Sequence, residues 1–589
     1  NFMSFNTPYN SLLLYHGLGS GKTCSAIGVS EEMRNYMKQV GIKREIMVIA
    51  SPNVQDNFKL QLFDERKLKY ENGLWNLNSC VGTELLKEIN PTMMKDIPKT
   101  KIISQIKNLI NKSYVFMGYT QLANFISSKI ESIGLSKINK KSNKIKKIQS
   151  IFDNRLIIID EVHNIRLTND NKNVNKKCAE LLMEVVKYAN NLRLLLLSAT
   201  PMYNSHEEII WITNLMNLND KRSQIKINDV FNEDGDFKEG DNKGYELLKR
   251  KLTGYISYVR GENPFLFPIR IYHENSKNKL KKLPTTQLNK TKIKNPMENI
   301  HKLLFINKIT DYQKKGYEFI INTLRNKYKD IFKKVGDKSS INVFDSMESF
   351  GYLLLQKLVE ALNIVYPTYD FNDKKTSGDE DIFIMETIIG KNGLNDIMKY
   401  KEHLWTKEQP YYLHYNFEYK TEKHGKIFSP QEIHKYSSKI SNICKKVKES
   451  KGIVLIYSQY IDGGAVPMAL ALEEMGLTRF GSESYTKPLL KERSNDPIEP
   501  IDSLTMEPES SYKGNDFKQA QYVMITGDKT YSPNNINDIK YLNDENNKYG
   551  KNVKVVIISK AAAEGIDFKN IRQVHILEPW FNMNRIEQI

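Results

Sequence analysis

The sequence predicts an α/β protein with two parallel-sheet domains in tandem and a largely helical insertion between them. Its 589 residues are too many for a single hydrophobic core, so more than one domain-sized unit is expected. Short apolar runs alternate with helical patterns in 1–215 and again in 436–589, which is typical of parallel sheets covered by helices. The alternation stops in 216–435, which we assign to a bridging region and helical insertion.

Nine apolar runs predict the strands of the two sheets, because each is followed by a turn and then by polar or amphipathic sequence. Five lie in the first domain, at Leu12–Tyr15, Ile46–Ala50, Tyr114–Met117, Leu156–Ile159 and Leu194–Leu197. Four lie in the second domain, at Ile453–Tyr457, Tyr522–Thr526, Val553–Ser559 and Val574–Leu577. The bridging region contains the strand-like Gly254–Tyr272 and helical patterns around Ile300–Tyr328 and Ser346–Val365. The lysine-rich segment Lys137–Lys147 is interpreted as a loop.

The composition favours an intracellular protein that binds polyanions. Lysine and arginine exceed aspartate and glutamate by 87 − 69 = 18, and nucleic acid is the commonest polyanionic partner. An AT-rich coding sequence would inflate lysine in the same way, so both explanations stay open. The longest apolar runs fall far short of the ~18 residues that span a bilayer. Cys24, Cys80, Cys178 and Cys444 form no CxxC pair, which argues against a zinc site or disulfide framework and for a reducing, cytoplasmic location.

A phosphate-binding loop is predicted where the sequence reads HGLGSGKT, between a strand and a helical run. Glycines in this loop let the backbone curl so that successive N–H groups point at phosphate oxygens, and the helix N-terminus adds to the effect. Lys22 is placed to reach the β- and γ-phosphates of a nucleotide, and the Thr23 hydroxyl to bind Mg²⁺. We assign nucleotide binding to His16, Gly17, Gly19, Ser20, Gly21, Lys22 and Thr23. The strict motif has glycine where this chain has His16.

An acidic pair, Asp160 and Glu161, follows the apolar strand RLIII. The carboxyl end of such a strand lies at the edge where ligands bind open α/β sheets. We assign Asp160 to Mg²⁺ and Glu161 to activation of the attacking water as a general base. His163 is interpreted together with Ser198 and Thr200, which follow another buried strand, as an element that couples the state of the γ-phosphate to the rest of the protein.

Eight motifs stand in the order found in superfamily 2 helicases and translocases. They read HGLGSGKT, IASP, GYTQLANF, DEVH, SATP, VLIYS, AAAEGIDF and NRIEQI. The segments SYVRGENPFLFP, IYSQYIDGGAVPMALALEEMG and GIDFKNIRQVHILEPWFNMNRIEQI resemble, more narrowly, the helicase-like ATPases of large nucleocytoplasmic DNA viruses. That group includes the small subunit of the poxvirus-type early transcription factor and related nucleoside triphosphatases. The resemblance covers both domains and is poor over much of 276–430.

This resemblance implies two RecA-like domains with ATP between them, nucleic acid across their top, and an ATPase that DNA or RNA stimulates. Carried over by position, Gly565 and Asp567 match the motif that couples nucleotide to nucleic acid, and we assign both to nucleotide binding. Gln588 matches the first glutamine of the last motif, and we assign it to catalysis. In the family this motif continues to arginines that stabilise the transferring phosphoryl group, and the sequence ends at Ile589 before them. We therefore expect this chain to bind ATP and to hydrolyse it poorly.

Nucleic acid is expected to contact polar residues that follow strands, because the carboxyl ends of parallel strands face a common surface. The candidates are Ser51, Asn53, Thr120, Gln121, Ser458 and Gln459. Such motors grip backbone phosphates, so binding should depend strongly on salt and little on base sequence. We expect DNA rather than RNA as the track, and the viral transcription machinery as a further partner.

Three functions remain open from the sequence. The leading one is an ATP-dependent nucleic-acid translocase or helicase that serves viral transcription. A second is a transcription-factor ATPase that remodels a promoter or releases a transcript without unwinding. A third, of another class, is a nucleotide-gated scaffold whose turnover is incidental. The complete set of catalytic residues in the first domain argues against the scaffold.

Overall fold

The chain forms two parallel sheets, one in each of two structural units. The computed structural model describes residues 3, 7–17, 19–131, 140–165, 174–202, 205–233, 235–240, 243–259, 285, 305–327, 351–371, 378–402, 415–481, 488–491, 493, 496–528, 530–560, 566, 568–578, 586 and 589. The first unit consists of 1–269 with 582–588, and the second of 270–581 with 589. The predicted tandem of parallel-sheet domains is confirmed.

The first unit contains one large sheet and a hairpin. Its strands are β1 (Ser11–His16), β2 (Ile46–Ile49), β3 (Leu68–Glu71), β4 (Leu74–Leu77), β5 (Tyr114–Met117), β6 (Leu156–Ile159), β7 (Arg193–Ser198) and β8 (Ile256–Val259). Six of them form a parallel sheet in the order β5-β2-β6-β7-β1-β8, while β3 and β4 form an antiparallel hairpin. The five strands predicted for this unit are confirmed to within one residue at each end.

The helices of the first unit cover both faces of its sheet or, like the short helix Ile227–Val230, pack on helices that do. They are α1 (Lys22–Gln39), α2 (Pro52–Leu62), α3 (Glu84–Ile89), α4 (Lys99–Ser113), α5 (Tyr119–Glu131), α6 (Lys140–Phe152), α7 (Val174–Tyr188), α8 (Glu208–Asn219), α9 (Ile227–Val230) and α10 (Gly244–Leu252). Successive residues of a strand point to opposite faces, so each face has its own apolar core. Met47 and Ile157 belong to one core, and their neighbours Val48 and Ile158 belong to the other. Burial on both faces explains why these strands are continuous apolar runs.

The lysine-rich segment Lys137–Lys147, interpreted above as a loop, is helical where it is described. α6 begins at Lys140 and places Ile148 and Phe152 in one of the apolar cores. The loop prediction was wrong because it weighed the charge run and missed the apolar residues that recur at helical spacing.

The first sheet extends past residue 215, where the sequence placed the start of the bridging region. β8 lies within the strand-like Gly254–Tyr272, and it pairs in parallel with β1 on the side away from β7. Residues 260–272 lie outside the described part of the chain. The register aligns Tyr15 with Tyr258 and His16 with Val259, so β8 ends beside the phosphate-binding loop.

A disulfide joins Cys24 and Cys80, contrary to the expectation from the cysteine spacing. Cys24 lies in the first turn of α1, Cys80 follows β4, and 56 residues separate them in sequence. Folding brings the two together, and a search for closely spaced cysteine pairs cannot detect such a partner. Cys178 and Cys444 are buried thiols, and burial raises the pKa of each to about 12.

The second unit has a smaller parallel sheet. Its strands are β9 (Met398–Glu402), β10 (Tyr415–Tyr419), β11 (Ile453–Tyr457), β12 (Thr478–Arg479), β13 (Gln521–Ile525), β14 (Val555–Ile558) and β15 (Ile571–Ile576). The sheet order is β12-β13-β14-β11-β15, and β9 and β10 form an antiparallel hairpin. The four strands predicted here are all found, with ends that differ from the prediction by at most three residues.

The helices of the second unit include those predicted for the insertion. They are α11 (Asp311–Lys327), α12 (Gly351–Asn363), α13 (Asp379–Thr387), α14 (Gly390–Ile397), α15 (Thr421–His424), α16 (Ile433–Tyr436), α17 (Ser438–Lys448), α18 (Val466–Glu474) and α19 (Asn535–Leu542). Across the described part of both units, no helix has the length and apolarity needed to cross a bilayer.

The later part of the bridging region, which lies in the second unit, shares its core with the second sheet. Tyr366, which follows α12, and Leu394 of α14 lie in the same apolar cluster as Ile456 of β11 and Ile557 of β14. A smaller cluster packs α11, α12 and α13 against one another. The described part of the helical insertion is therefore fixed to the second sheet by shared apolar packing.

Candidate nucleotide site and nucleic-acid interface

The phosphate-binding loop joins β1 to α1 at the carboxyl end of the first sheet. Gly19 and Gly21 have φ angles of 67° and 81°, in the left-handed region that glycine adopts without strain. Lys22 is the first residue of α1, and its Nζ donates to the carbonyl oxygens of His16 and Gly17 at 3.1 and 3.2 Å. The loop therefore curls around the lysine ammonium and holds it at the N-terminus of the helix, where phosphate oxygens are favoured.

The start of the loop is fixed by the edge strand β8. His16 Nε2 lies 2.9 Å from Ser257 Oγ, and Gly17 N donates to the carbonyl oxygen of Val259 at 3.1 Å. Burial lowers the pKa of His16, and the nearby charge of Lys22 lowers it further. At neutral pH the imidazole is therefore uncharged. It adds no second positive charge to the loop and serves as a hydrogen-bonding partner for β8.

Ser20 and Thr23 complete the loop. Ser20 Oγ donates to the carbonyl oxygen of Gly17 at 2.6 Å, which tightens the turn. Thr23 follows the lysine in the first turn of α1 and is partly exposed. The next residue is Cys24, so the disulfide to Cys80 anchors this turn of the helix to the segment after β4.

The acidic pair lies at the carboxyl end of β6. Asp160 is 6% exposed, and its Oδ1 accepts a hydrogen bond from Glu161 N at 2.9 Å. Burial raises the pKa of Asp160 to about 6, against the lowering effects of the Glu161 N–H and the charge of Lys22. The effect of Lys22 places the loop and the acidic pair in one electrostatic site. Glu161 has φ 46° and ψ 56°, a left-handed conformation that is uncommon in non-glycine residues and recurs at functional sites.

His163 connects the acidic pair to the neighbouring strand. Its ring is buried, and Nδ1 lies 3.0 Å from Ser198 Oγ and 3.3 Å from Glu161 Oε2. Ser198 ends β7 and is fully buried, and its Oγ also accepts a hydrogen bond from Thr200 N at 3.0 Å. Direct contacts thus run from Glu161 through His163 and Ser198 to Thr200. The structure brings together the residues that the sequence assigned to coupling.

The side chains at this site suit a magnesium nucleotide. Mg²⁺ prefers oxygen ligands, which the Asp160 carboxylate and the Thr23 hydroxyl supply. A polyphosphate prefers backbone N–H groups and a cation, which the glycine-containing loop and Lys22 supply. The raised pKa of Asp160 marks a buried carboxylate whose ionised form a nearby cation would stabilise.

Three nucleic-acid candidates lie along the same edge of the first sheet. Ser51 follows β2 and is the partly exposed N-cap residue of α2. Thr120 and Gln121 follow β5 and are exposed, and Gln121 Oε1 accepts a hydrogen bond from Gly118 N at 2.8 Å. Because β5, β2 and β6 are adjacent and parallel, these residues share an edge with the acidic pair. Asn53 lies in the first turn of α2, and its side chain is outside the described part of the chain.

The two candidates of the second unit follow β11 and differ in exposure. Ser458 is fully buried, and its Oγ donates to Glu578 Oε1 at 2.7 Å. This hydroxyl is enclosed within the protein, which disfavours the direct phosphate contact predicted for it from its position after the strand. Gln459 is partly exposed, and its backbone N donates to Glu578 Oε2 at 2.8 Å.

Three assigned residues fall outside the described part of the chain. These are Gly565 and Asp567, assigned to nucleotide binding in the motif that couples it to nucleic acid, and Gln588, assigned to catalysis. Their roles stay predictions.

Two residues that organise these loops were missed by sequence reasoning. Ser257 holds the imidazole of His16, and Glu578 holds the start of the loop after β11. Both stand in segments that carry the family resemblance, SYVRGENPFLFP and HILEPWF. The resemblance was a usable signal, but the partner of each residue lies more than a hundred positions away in sequence.

Comparisons with known proteins find similarity to viral helicase-like proteins. Residues 3–203 match the family model described as "Type III restriction enzyme, res subunit". Two proteins of Acanthamoeba polyphaga mimivirus, provisionally named as ATP-dependent RNA helicases, are 23% and 25% identical over 100% of this chain. The chain covers 48% of the first of these proteins and 76% of the second. A termination factor NPH-I homologue of African swine fever virus is 33% identical over 165 residues, which are 26% of this chain and 22% of that protein.

The matches and the geometry agree. The family model covers the phosphate-binding loop, the acidic pair and the coupling residues, which lie at one edge of the first sheet. The mimivirus relatives extend the similarity through the second unit. The chain thus carries a helicase domain of the matched family in 3–203 and is similar to helicases of large DNA viruses, in agreement with its resemblance to superfamily 2 DExH helicase-like ATPases.

Proposed function

We propose that this chain is an ATP-dependent nucleic-acid translocase or helicase whose hydrolysis of ATP is stimulated by nucleic acid. The contact between His163 and Ser198 carries the proposal. It connects the acidic pair to the end of the next strand, so a change at the γ-phosphate has a direct route into the sheet. A site that only stores a nucleotide requires no such route.

ATP and Mg²⁺ are the proposed cofactors. Lys22 would exchange its bonds to two loop carbonyls for bonds to the β- and γ-phosphate oxygens. Asp160 and Thr23 would hold Mg²⁺, which, when bound, neutralises charge on the phosphates. The uncharged His16 fixes the entry to the loop through β8, so the loop is shaped before nucleotide arrives.

Glu161 is the proposed general base. Its left-handed backbone turns the carboxylate towards His163, whose Nδ1 lies 3.3 Å away and restrains it. From this position it would accept a proton from the water that attacks the γ-phosphate, an effect typically worth roughly 10² to 10⁴ in rate. Ser198 and Thr200 N would respond to the change at His163 as the phosphate leaves.

Nucleic acid is the proposed track, and DNA is proposed over RNA. Support for a nucleic-acid track of either kind comes from the polar residues Ser51, Thr120 and Gln121, which lie beside the acidic pair at one edge of the sheet. Similarity to a termination factor homologue supports a role in viral transcription, with the transcription machinery as partner. Such a role would place the protein in the host cytoplasm or the virion.

Parallel ATPase and strand-displacement assays test the proposal. The natural sequence is expected to hydrolyse ATP slowly, and nucleic acid should raise that rate. Lys22→Ala should lose nucleotide binding, and Glu161→Gln should bind ATP without turnover. Lys87→Ala, a lysine change on the exposed surface of α3, is the matched control for Lys22 and should behave as the natural sequence.

The pattern of the two assays separates the alternatives. Stimulated hydrolysis with strand displacement supports a helicase. Stimulated hydrolysis without displacement favours translocation or promoter remodelling. If the protein binds nucleotide but nucleic acid does not raise its rate of hydrolysis, the proposal is contradicted and a nucleotide-gated scaffold is favoured.

A further inference from the structure

A buried carboxylate joins the helical insertion to the loop that follows β11. Glu578 lies two residues past β15 and is 2% exposed. Its Oε1 accepts hydrogen bonds from Ser458 Oγ, at 2.7 Å, and from Asn363 Nδ2. Its Oε2 accepts one from Gln459 N at 2.8 Å. One side chain therefore holds both the first residues of the loop and the last residue of α12.

Asn363 is the centre of this network. It is fully buried, and its Nδ2 also donates to the carbonyl oxygen of Gly463 at 3.2 Å. Its Oδ1 accepts from Lys439 Nζ at 3.2 Å, and the same ammonium donates to the carbonyl oxygen of Leu577 at 2.7 Å. A positive charge thus lies one side chain away from Glu578, which lessens the cost of burying that carboxylate.

The loop is shaped to fit against this network. Residues Ile461–Ala465 form a π-helical turn, a rare conformation that recurs at functional sites. A Cβ atom on Gly464 would lie 2.0 Å from Ser458 Oγ and 2.9 Å from Glu578 Oε1. Only glycine therefore lets the turn approach the carboxylate so closely. Alternative loop conformations would leave buried polar atoms without partners.

We propose that Asn363 and Glu578 are positioning residues that set the conformation of the strand-end loop, residues 458–465, and thereby the grip of the second unit on a nucleic-acid backbone. The inference rests on the proposed function, because the loop carries the candidate contact Gln459. It gives the helical insertion a role. The insertion supplies Asn363, so a change in α12 reaches the loop through two hydrogen bonds, to Gly463 and Glu578.

The network explains why Ser458 is buried. A polar residue directly after a parallel strand is a candidate for contact with ligand. Here its hydroxyl is bonded to Glu578, and it approaches the carbonyl oxygen of Tyr460 at 2.9 Å. Ser458 thus acts on nucleic acid through the shape of the loop, and the contact itself falls to the residues that follow it.

Substitution of Asn363 by alanine, with a matched control, tests the proposal. The control is Asn547→Ala, since Asn547 is also fully buried and bonds four backbone groups, but lies before β14 at the opposite end of the sheet. Three quantities are measured on the whole chain: the Kd for a fluorescent single-stranded DNA, the Kd for ATP, and the rate of amide exchange in 459–465.

Asn363→Ala should weaken DNA binding by about 10-fold or more and speed amide exchange in the loop by a similar factor, as expected for the loss of buried hydrogen bonds. ATP affinity should stay unchanged, because the substitution removes no group of the phosphate-binding loop or of the acidic pair. Asn547→Ala should lower the melting temperature comparably and leave DNA affinity and loop exchange unchanged. Glu578→Gln should give the same changes as Asn363→Ala. Its side-chain NH₂ group is a donor and would face groups that donate to the carboxylate in the natural sequence.

Equal loss of DNA affinity in the Asn363 and Asn547 variants would show a merely structural role and overturn the proposal. Unchanged loop exchange in Asn363→Ala would overturn it as well. If the natural sequence fails to bind DNA, the proposed function is wrong, and so is the claim that the strand-end loop sets the affinity for nucleic acid. The rate of amide exchange in 459–465 of the variants then still decides, by itself, whether Asn363 positions the loop.

Discussion

Replacing Asp538 by asparagine should stabilise the second unit at neutral pH. Asp538 lies in α19 and is 7% exposed, and burial raises its pKa from 3.8 to about 7, against the lowering effect of Arg479. The folded state therefore binds this proton more tightly than the unfolded state does. The free energy of unfolding then falls as the pH rises from about 4 to about 7. A rise of this pKa from 3.8 to about 7 corresponds to about 4 kcal/mol of lost stability once the carboxylate is ionised.

Urea unfolding of the natural sequence and of Asp538→Asn, at pH values from 5.5 to 8.5, measures this contribution. Amide exchange in β13 and β14 reports on the second unit alone. Burial also raises the pKa of Glu473 in this unit to about 7, and the difference between the two proteins cancels that contribution. The advantage of the variant should grow by about 2 kcal/mol between pH 5.5 and 7 and then level off. Asp516→Asn, a change at an exposed residue, is the matched control. Parallel stability curves for the natural sequence and Asp538→Asn would refute the reasoning.

Three further predictions concern contacts elsewhere in the chain. Glu473→Ala should lower the free energy of unfolding of the second unit by about 3–5 kcal/mol in urea titrations, because two backbone N–H groups and a buried tyrosine hydroxyl lose their acceptor. Glu473→Gln should lower it by less. An equal decrease in the two variants would contradict this reasoning. Reducing the disulfide between Cys24 and Cys80 should destabilise the first unit by about 4 kcal/mol, as estimated from chain entropy for a separation of 56 residues. Cys24→Ser should melt at the same temperature with and without reductant; a reductant-sensitive variant would count against the assignment. Ser198→Ala should keep ATP affinity but lose most of the stimulation of hydrolysis by nucleic acid, because the contact between His163 and Ser198 is removed. A steady-state ATPase assay in which nucleic acid stimulates the variant fully would contradict the coupling role.

The strands of both sheets could be predicted because burial on two faces leaves a plain signal. β6 and β7 are apolar at every central position, so their existence does not depend on knowing the neighbouring strands. The short strand β12 and the hairpin of β9 and β10 lack that signal. β12 has only two residues, and its pairing with β13 depends on a partner more than forty residues away. The helix α6 was missed because its lysines outnumber the apolar residues that anchor it.

The candidate nucleotide site could be proposed from the sequence because its residues are close in sequence within each motif. Lys22 and the pair after β6 have fixed spacing from a strand, and the chemistry follows from that position. What the sequence could not supply was the partner of each residue. The burial of Ser458 depends on Glu578, which is 120 residues away, and the imidazole of His16 is held by a serine 241 residues away. Contacts of this kind arise from the tertiary fold.

The central claim is that Glu161 activates water at a site formed by the phosphate-binding loop and the acidic pair. Single-turnover hydrolysis, with protein in excess over ATP and nucleic acid present, tests it most directly. Glu161→Gln should bind ATP with unchanged affinity and cleave it at least about 100-fold more slowly than the natural sequence. Glu84→Gln, the same chemical change at an exposed position in α3, should cleave it at the natural rate. Hydrolysis by Glu161→Gln at the rate of the natural sequence would contradict the account.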